Sequence, residues 1–164
     1  MKWEQDDYWV TTDSHRLNLE LIHSELTRSY WAEGIPFHIV QKSIQHSLCF
    51  GVYHRGTGEQ ADFARVVSDF TTFAFLCDVF VISKFKGKGL SKFLIGCIMA
   101  HPELKGLRRF CLGTKDAHGL YEKYGFKAIK EPKNWMEIKH PNIYRENHQG
   151  KNIAVVPPFQ TEKK

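Results

Sequence analysis

The residues best placed to do chemistry lie in one block, where the apolar run Cys77-Asp78-Val79-Phe80-Val81-Ile82 gives way to Ser83-Lys84-Phe85-Lys86-Gly87-Lys88-Gly89-Leu90-Ser91. The spacing reads as a strand that feeds a basic glycine turn, which then opens a helix. The first amides of such a helix have no partner inside it, and glycines carry no side chain to hold an anion off the backbone, so the turn suits a phosphate. Lys84, Lys86 and Lys88 add positive charge close by. The order is not the Gly-x-x-x-x-Gly-Lys-Ser/Thr of a P-loop, and no third glycine completes a dinucleotide turn, so neither ATP nor NAD is favoured. A bare Gly-x-Gly also fits a plain strand-to-helix connection with solvated lysines. Asp78 draws notice for another reason: between Cys77, Val79 and Phe80 an unpaired carboxylate would be costly.

Several elements have to hold this block in place. Tyr8 to Val10 reads as a short strand, and Thr12 and Asp13 as caps of a helix carrying Leu17, Leu21, Ile22 and Leu26. That helix ends at Gly34 and Pro36, or Pro36 opens a second helix running to about His46. Ser47–His54, Ala61–Asp69 and Thr72–Ile82 read as three antiparallel strands, the first two joined by the turn at Arg55-Gly56-Thr57-Gly58. From Gly89, the residues Leu90, Phe93, Leu94, Cys97 and Ile98 recur on one helical face up to His101-Pro102. Arg109–Leu112 reads as another strand, and Asp116–Tyr124 as a short helix stopped by Gly125. Phe126–Ile129 and Trp135–Ile138 read as two closing strands. Strand, helix, strand around the glycine turn implies one parallel pair in an otherwise antiparallel sheet.

The chain is read as one domain over residues 1–146 followed by a polar tail, 147–164, carrying Pro157-Pro158 and ending Lys163-Lys164. Net charge of +5 and a pI near 9.0 suit an anionic ligand, yet the basic residues are scattered, which disfavours a nucleic-acid partner. Cys49, Cys77, Cys97 and Cys111 form no Cys-x-x-Cys pair and sit in apolar stretches, as reduced, buried thiols do. The nine histidines show no metal-ligand spacing, so no metal is expected. With no signal-peptide core at the start and no membrane-length apolar run, the expected location is cytoplasmic, away from membranes.

The block Val81-Ile82-Ser83-Lys84-Phe85-Lys86-Gly87-Lys88-Gly89-Leu90-Ser91 resembles motif A of the GNAT superfamily of acetyl-CoA-dependent N-acetyltransferases, Val-x-x-Arg/Gln-x-x-Gly-x-Gly/Ala. Lys84 stands at the usual Arg or Gln, Ser83 where proline is common, and Ser91 where a third small residue is frequent. Downstream, Tyr121-Glu122-Lys123-Tyr124-Gly125-Phe126 resembles motif B, whose core is Tyr-x-x-x-Gly-Phe. Together the two motifs place the resemblance over residues 8–139. It implies an α+β GNAT fold with a mixed, mostly antiparallel sheet of about seven strands flanked by about four helices.

The resemblance further implies acetyl-CoA as co-substrate, with the backbone of Lys86, Gly87, Lys88, Gly89, Leu90 and Ser91 around its pyrophosphate and Lys84 nearby. Phe80, Val81 and Ile82 would offer backbone groups to the pantetheine arm. A strand amide near Val81 would polarise the thioester carbonyl, and Tyr121 would be the acid that protonates the departing thiolate. With ordinary pKa values of about 10 for a phenol and about 8.5 for a thiol, that transfer is uphill by roughly 2 kcal/mol, a bearable cost. Asp78 is the first candidate for the base, with Asp69, Glu25 and a water chain as alternatives, while His118 is a minor candidate for ligand contact.

The expected partner is a small primary amine. The loop Ser29-Tyr30-Trp31-Ala32-Glu33-Gly34-Ile35-Pro36 borders the acceptor pocket in such enzymes, and its Tyr30 and Trp31 read either as an aromatic wall or as caps on the core. The competing readings are a GNAT-shaped module that holds acyl-CoA without turnover, a protein or peptide amine as acceptor, and a basic nucleic-acid binder. A homodimer is compatible with all the acyl-CoA readings.

Overall fold

The structure, a computed structural model, describes residues 1–146. The expected tail at 147–164 lies outside the described residues. One six-stranded sheet runs in sequence order: β1 (Lys2–Gln5), β2 (Tyr8–Thr11), β3 (Leu48–His54), β4 (Gln60–Ser68), β5 (Phe73–Val81) and β6 (Arg109–Leu112). All neighbours are antiparallel except β5 and β6, which are parallel because a helix returns the chain between them. The expected α+β class and the single parallel pair are therefore observed.

Helix α1 (Leu19–Thr27) starts at Asn18, whose side chain accepts the Leu21 amide at 2.9 Å. Asp13 caps only a single 3₁₀ turn at Ser14–Arg16. Pro36 precedes α2 (Phe37–Gln45), at a helix start where its missing donor costs nothing. Helix α3 (Leu90–Ala100) follows the glycine turn, α4 (His118–Tyr121) continues as a 3₁₀ turn to Tyr124 and ends at Gly125 with φ 89°, and α5 (Ile143–Glu146) closes the described chain.

The sheet separates two cores. On one face Val10, Phe50, Val52, Ala64, Val66 and Leu76 pack against Leu90, Leu94, Ile95 and Ile98 of α3 and Tyr121 of α4. On the other, Phe63 and Cys49 pack against Ile22, Leu26, Val40 and Ile44 of α1 and α2.

The strand count differs from expectation at both ends. Phe126–Ile129 and Trp135–Ile138 form no strand, and Pro132–Asn134 between them is a 3₁₀ turn. Phe126 packs on the core, but the remainder finds no buried face: Met136 is 97% and Ile138 87% exposed. The strand that was not foreseen, Lys2–Gln5, is short and charged, as an edge strand is, and pairs with β2 through a turn in which Asp6 takes φ 50°.

Two irregularities position the site. Between β4 and β5 the register steps from Phe63↔Phe80 to Arg65↔Cys77, so Asp78 and Val79 together face Ala64 in a bulge where Asp78 takes φ 54°. The pairing of β5 with β6 stops at Leu76↔Leu112, and beyond it β5 runs on from Cys77 to Val81 with no partner on that side. A slot opens there between the two parallel strands.

Candidate active site

One bank of the slot is the end of β5 and the turn beyond it. The Ile82 amide donates to Ala61 O at 2.9 Å, and in an antiparallel ladder the next residue points its polar groups the opposite way. Val81 therefore turns its N–H and C=O towards the slot, whereas Ile82 and Phe80 face β4. Ser83–Phe85 makes a 3₁₀ turn closed by the Lys86 amide on Ser83 O at 3.3 Å, and Phe85 is buried beside Tyr8. Gly87 and Gly89 then take φ 78° and 75°, a left-handed conformation that favours glycine, and a side chain at either would meet open space. The first α3 amide to find an acceptor is that of Phe93, on Gly89 O at 3.2 Å, so the N–H groups of Leu90, Ser91 and Lys92 point out of the helix start. A cleft of about 340 Å³ lies against this turn, lined by Val81, Phe85, Lys86, Gly87, Gly89, Leu90, Ser91 and Lys92, with Leu120 on its far side. Such a concave row of donors at a positive helix end fits a diphosphate.

The lysines divide their roles. The Lys84 ammonium is paired with Glu59 on the β3–β4 turn, and that of Lys88 lies 5.6 Å from the Phe85 ring centroid and 6.0 Å from that of Tyr8. Lys86 is exposed at the lip of the cleft.

The other bank is β6 with the loop and helix after it. Thr114 Oγ1 accepts the Ala117 amide at 3.0 Å and fixes the approach to α4. Tyr121 is buried there, edge-on to Phe126 at 6.0 Å between centroids, and lines a cavity of about 470 Å³ with Leu112, Gly113, Thr114 and His118. Burial pushes its phenol above the ordinary range, and the charges of Asp62, Tyr30 and Asp116 push it in the same direction. Tyr124, three residues on, donates its hydroxyl to Lys92 O at 2.5 Å and so braces α4 on α3.

Asp78 is not a free carboxylate. Its Oδ2 accepts Arg65 Nε at 2.7 Å and its Oδ1 accepts Trp31 Nε1 at 3.2 Å. The other proposed acids are engaged elsewhere: Glu25 pairs with Arg28 at 2.5 Å, and Asp69 Oδ1 accepts the amides of Thr71, Thr72 and Phe73 at the β4–β5 hairpin. Tyr30 and Trp31 are not core caps: both are exposed, packed edge-on at 4.9 Å, while Ala32 and Ile35 of the same loop are buried. Burial pushes the thiols of Cys49, Cys77 and Cys97 up to about 12, which disfavours their thiolate forms. Among the described residues no group of three His, Cys, Asp or Glu side chains is placed to hold a metal, and no helix is long and apolar enough to cross a membrane.

Sequence reasoning passed over Asp62. It sits on β4 opposite Val81 and is fully buried; the Phe63 amide donates to its Oδ1 at 2.7 Å, and among the described residues Oδ2 has no partner. Burial raises its carboxyl well above the usual range, only partly opposed by that amide. The signal was an aspartate inside the run Ala61-Asp62-Phe63-Ala64, hidden by not knowing which face it took.

Comparison with known proteins agrees with this geometry. Residues 45–128 match the profile of the acetyltransferase (GNAT) domain. The crystal structure of a Xanthomonas campestris pv. campestris protein described as a GNAT-family acetyltransferase superposes with a TM-score of 0.82 at 48% identity, covering 86% of this chain and 99% of the other. A Gibberella zeae protein named as an acetyltransferase is 29% identical over 151 residues, 79% of this chain and 84% of its own. A Clostridium acetobutylicum protein solved with acetyl-CoA shares the fold, with a TM-score of 0.58 at 16% identity over 85% of this chain and 96% of the other. The chain belongs to the GNAT acetyltransferase family.

Proposed function

We propose that this protein moves the acetyl group of acetyl-CoA to a primary amine of a small acceptor by direct transfer. The observation that carries the reading is one cleft lined by Val81, the glycine turn and the start of α3, which reaches Leu120, the neighbour of the buried Tyr121. The diphosphate sits on the N–H groups around Gly87–Ser91, which lays the thioester arm along the unpaired edge of β5. The Val81 amide donates to the carbonyl oxygen and stabilises the charge that develops there. A neutral amine attacks the carbonyl carbon, the C–N bond forms, and the C–S bond breaks as the tetrahedral centre collapses. The thiolate takes the Tyr121 proton, the amine's surplus proton goes to water, and the phenolate recovers a proton from solvent.

Asp78 is left out of these steps, since both its oxygens already accept hydrogen bonds. The base is assigned to water reaching the slot past the exposed Tyr30 and Trp31. The test is calorimetry of the full chain with acetyl-CoA, followed by thiol release with polyamines, amino acids, aminoglycosides and peptide amines. Binding together with thiol release that depends on a small amine supports the reading. Binding with no release across the panel would replace it by an acyl-CoA-holding module, and release with peptide amines alone would move the acceptor to proteins. No heat at millimolar acetyl-CoA would end it.

A further inference from the structure

Asp78 is a non-glycine residue held at φ 54°, a conformation that persists only where its surroundings impose it. Here they do so through one continuous polar chain. Arg65 Nε donates to Asp78 Oδ2 at 2.7 Å, and Arg65 Nη1 donates to Ser47 Oγ at 3.0 Å. The Ser47 hydroxyl in turn donates to Ser43 O at 2.7 Å, near the end of α2. The Arg65 and Asp78 side chains are only 18% and 11% exposed, so water screens them little. On the other side of the carboxylate, Trp31 Nε1 donates to Oδ1 at 3.2 Å. Trp31 packs on Tyr30 at 4.9 Å, and the Lys115 ammonium lies 5.7 Å from the Tyr30 ring centroid. Lys115 belongs to the β6–α4 loop on the opposite bank, so the α1–α2 loop spans the mouth of the slot with one end fixed on the bulge.

We infer that Arg65 and Trp31 are positioning residues that act through Asp78: Arg65 holds the bulge that opens the slot, and Trp31 docks the Ser29–Pro36 loop on the same carboxylate, as the wall that receives the acceptor. The inference rests on the acetyl-transfer reading for what the slot holds. It makes Asp78 a structural branch point between the co-substrate's bank and the acceptor's wall, and it separates the two substitutions. Removing the indole N–H frees the loop and leaves the bulge under Arg65. Removing the guanidinium frees both.

Hydrogen exchange on the full chain, paired with acetyl-CoA calorimetry, reads the difference. The loop reporters are the amides of Ala32, Gly34 and Ile35, bonded to Ser29 Oγ, Thr27 O and Ala32 O; the reporter for the strand end just beyond the bulge is the Ile82 amide on Ala61 O. In Trp31→Phe the loop amides exchange at least tenfold faster, Ile82 is unchanged, and acetyl-CoA affinity stays within threefold. In Arg65→Met both sets exchange faster and acetyl-CoA binds at least tenfold more weakly. Arg65→Lys keeps the charge without the planar fork, gives an intermediate loss, and carries this arm if the methionine variant does not fold. Loop exchange in Trp31→Phe equal to that of the unaltered protein overturns the inference, as does a loosened bulge with undiminished acetyl-CoA affinity. If the unaltered protein does not bind acetyl-CoA, the transfer reading fails while the exchange comparison still decides the coupling.

Discussion

Asp62 supplies the sharpest stability test, because its carboxyl is fully buried and has, among the described residues, a single amide for a partner. Its folded-state titration lies above the unfolded one, so the native state holds a proton that the unfolded chain gives up. Stability therefore falls as pH rises through the window that opens near the unfolded carboxyl pKa, about 4, and closes at the raised folded value. Inside that window the slope is about 1.4 kcal/mol per pH unit. For a chain of this size that corresponds to roughly 3–5 °C in midpoint per pH unit.

Asp62→Asn removes this titration while keeping an oxygen to accept the Phe63 amide. The intercept is not diagnostic, since an unpartnered amide group costs about 1–3 kcal/mol of its own; the slope is. Urea unfolding at a series of pH values from 5 upward should show the aspartate protein losing ground against the asparagine variant until the raised folded value is passed. His101 does not confuse the comparison. Burial lowers its pKa, so it costs stability as pH falls, and it does so equally in both proteins. Parallel pH curves, or an aspartate protein that gains on the variant as pH rises, would refute the claim that burial keeps this acid un-ionised.

Three further substitutions test the site and a fourth tests the β4–β5 hairpin. Tyr121→Phe should lower turnover about 10²-fold or more in thiol release and leave acetyl-CoA affinity within about twofold by calorimetry, as expected of a proton donor that makes no ground-state contact. Gly89→Ala places a side chain at φ 75° beside the diphosphate cradle; it should cost about 1–2 kcal/mol in urea unfolding and weaken acetyl-CoA binding, whereas Lys86→Glu, at an exposed lip, should weaken binding several-fold with no change in stability. Asp69 accepts three hairpin amides and the Thr72 hydroxyl, which hold its carboxyl far below the usual range. A depressed carboxyl adds stability above the unfolded pKa and loses it as pH falls, so Asp69→Ala should lower the melting midpoint at pH 7 and converge with the unaltered protein in acid, with thiol release unchanged at 25 °C.

Local pattern made α3 legible, since Leu90, Leu94 and Ile98 all proved buried on the face their spacing marked out. It also placed the glycine turn, because Gly87 and Gly89 do adopt the conformation that only glycine takes freely. The same pattern misled after Gly125. Trp135–Ile138 reads as a strand with Met136 and Ile138 on one face, yet both are exposed and the segment finds no ladder. Alternation states what a strand could bury, not whether a neighbour offers the face. Asp62 and Arg65 were illegible for a different reason. The β3–β4 register slips between Val52↔Asp62 and Tyr53↔Gln60, and β4–β5 slips at Asp78. One residue of slip exchanges the two faces of a strand, so no count along the sequence could say that Asp62 faces α3 and Arg65 the opposite layer.

Those slips also shape the space between the two recognisable motifs, which lie far apart in the chain. β5 and β6 are held at strand spacing only from Phe73↔Arg109 to Leu76↔Leu112. Had β5 continued without a bulge, its ladder to β6 could have extended to Val81, and the backbone donors there would have been spent on a neighbouring strand. The bulge at Asp78 comes just past the last β5–β6 pair, a few residues before the chain leaves the sheet for the glycine turn. A donor-bearing edge is thereby left beside a cleft that also reaches Leu120, next in the chain to the buried Tyr121. An aspartate in a left-handed conformation is unfavourable in isolation, and the ion pair with Arg65 is what makes it tolerable. The residue that looked like a base is thus tied into the backbone instead: it helps hold the bulge that leaves the end of β5 without a partner strand.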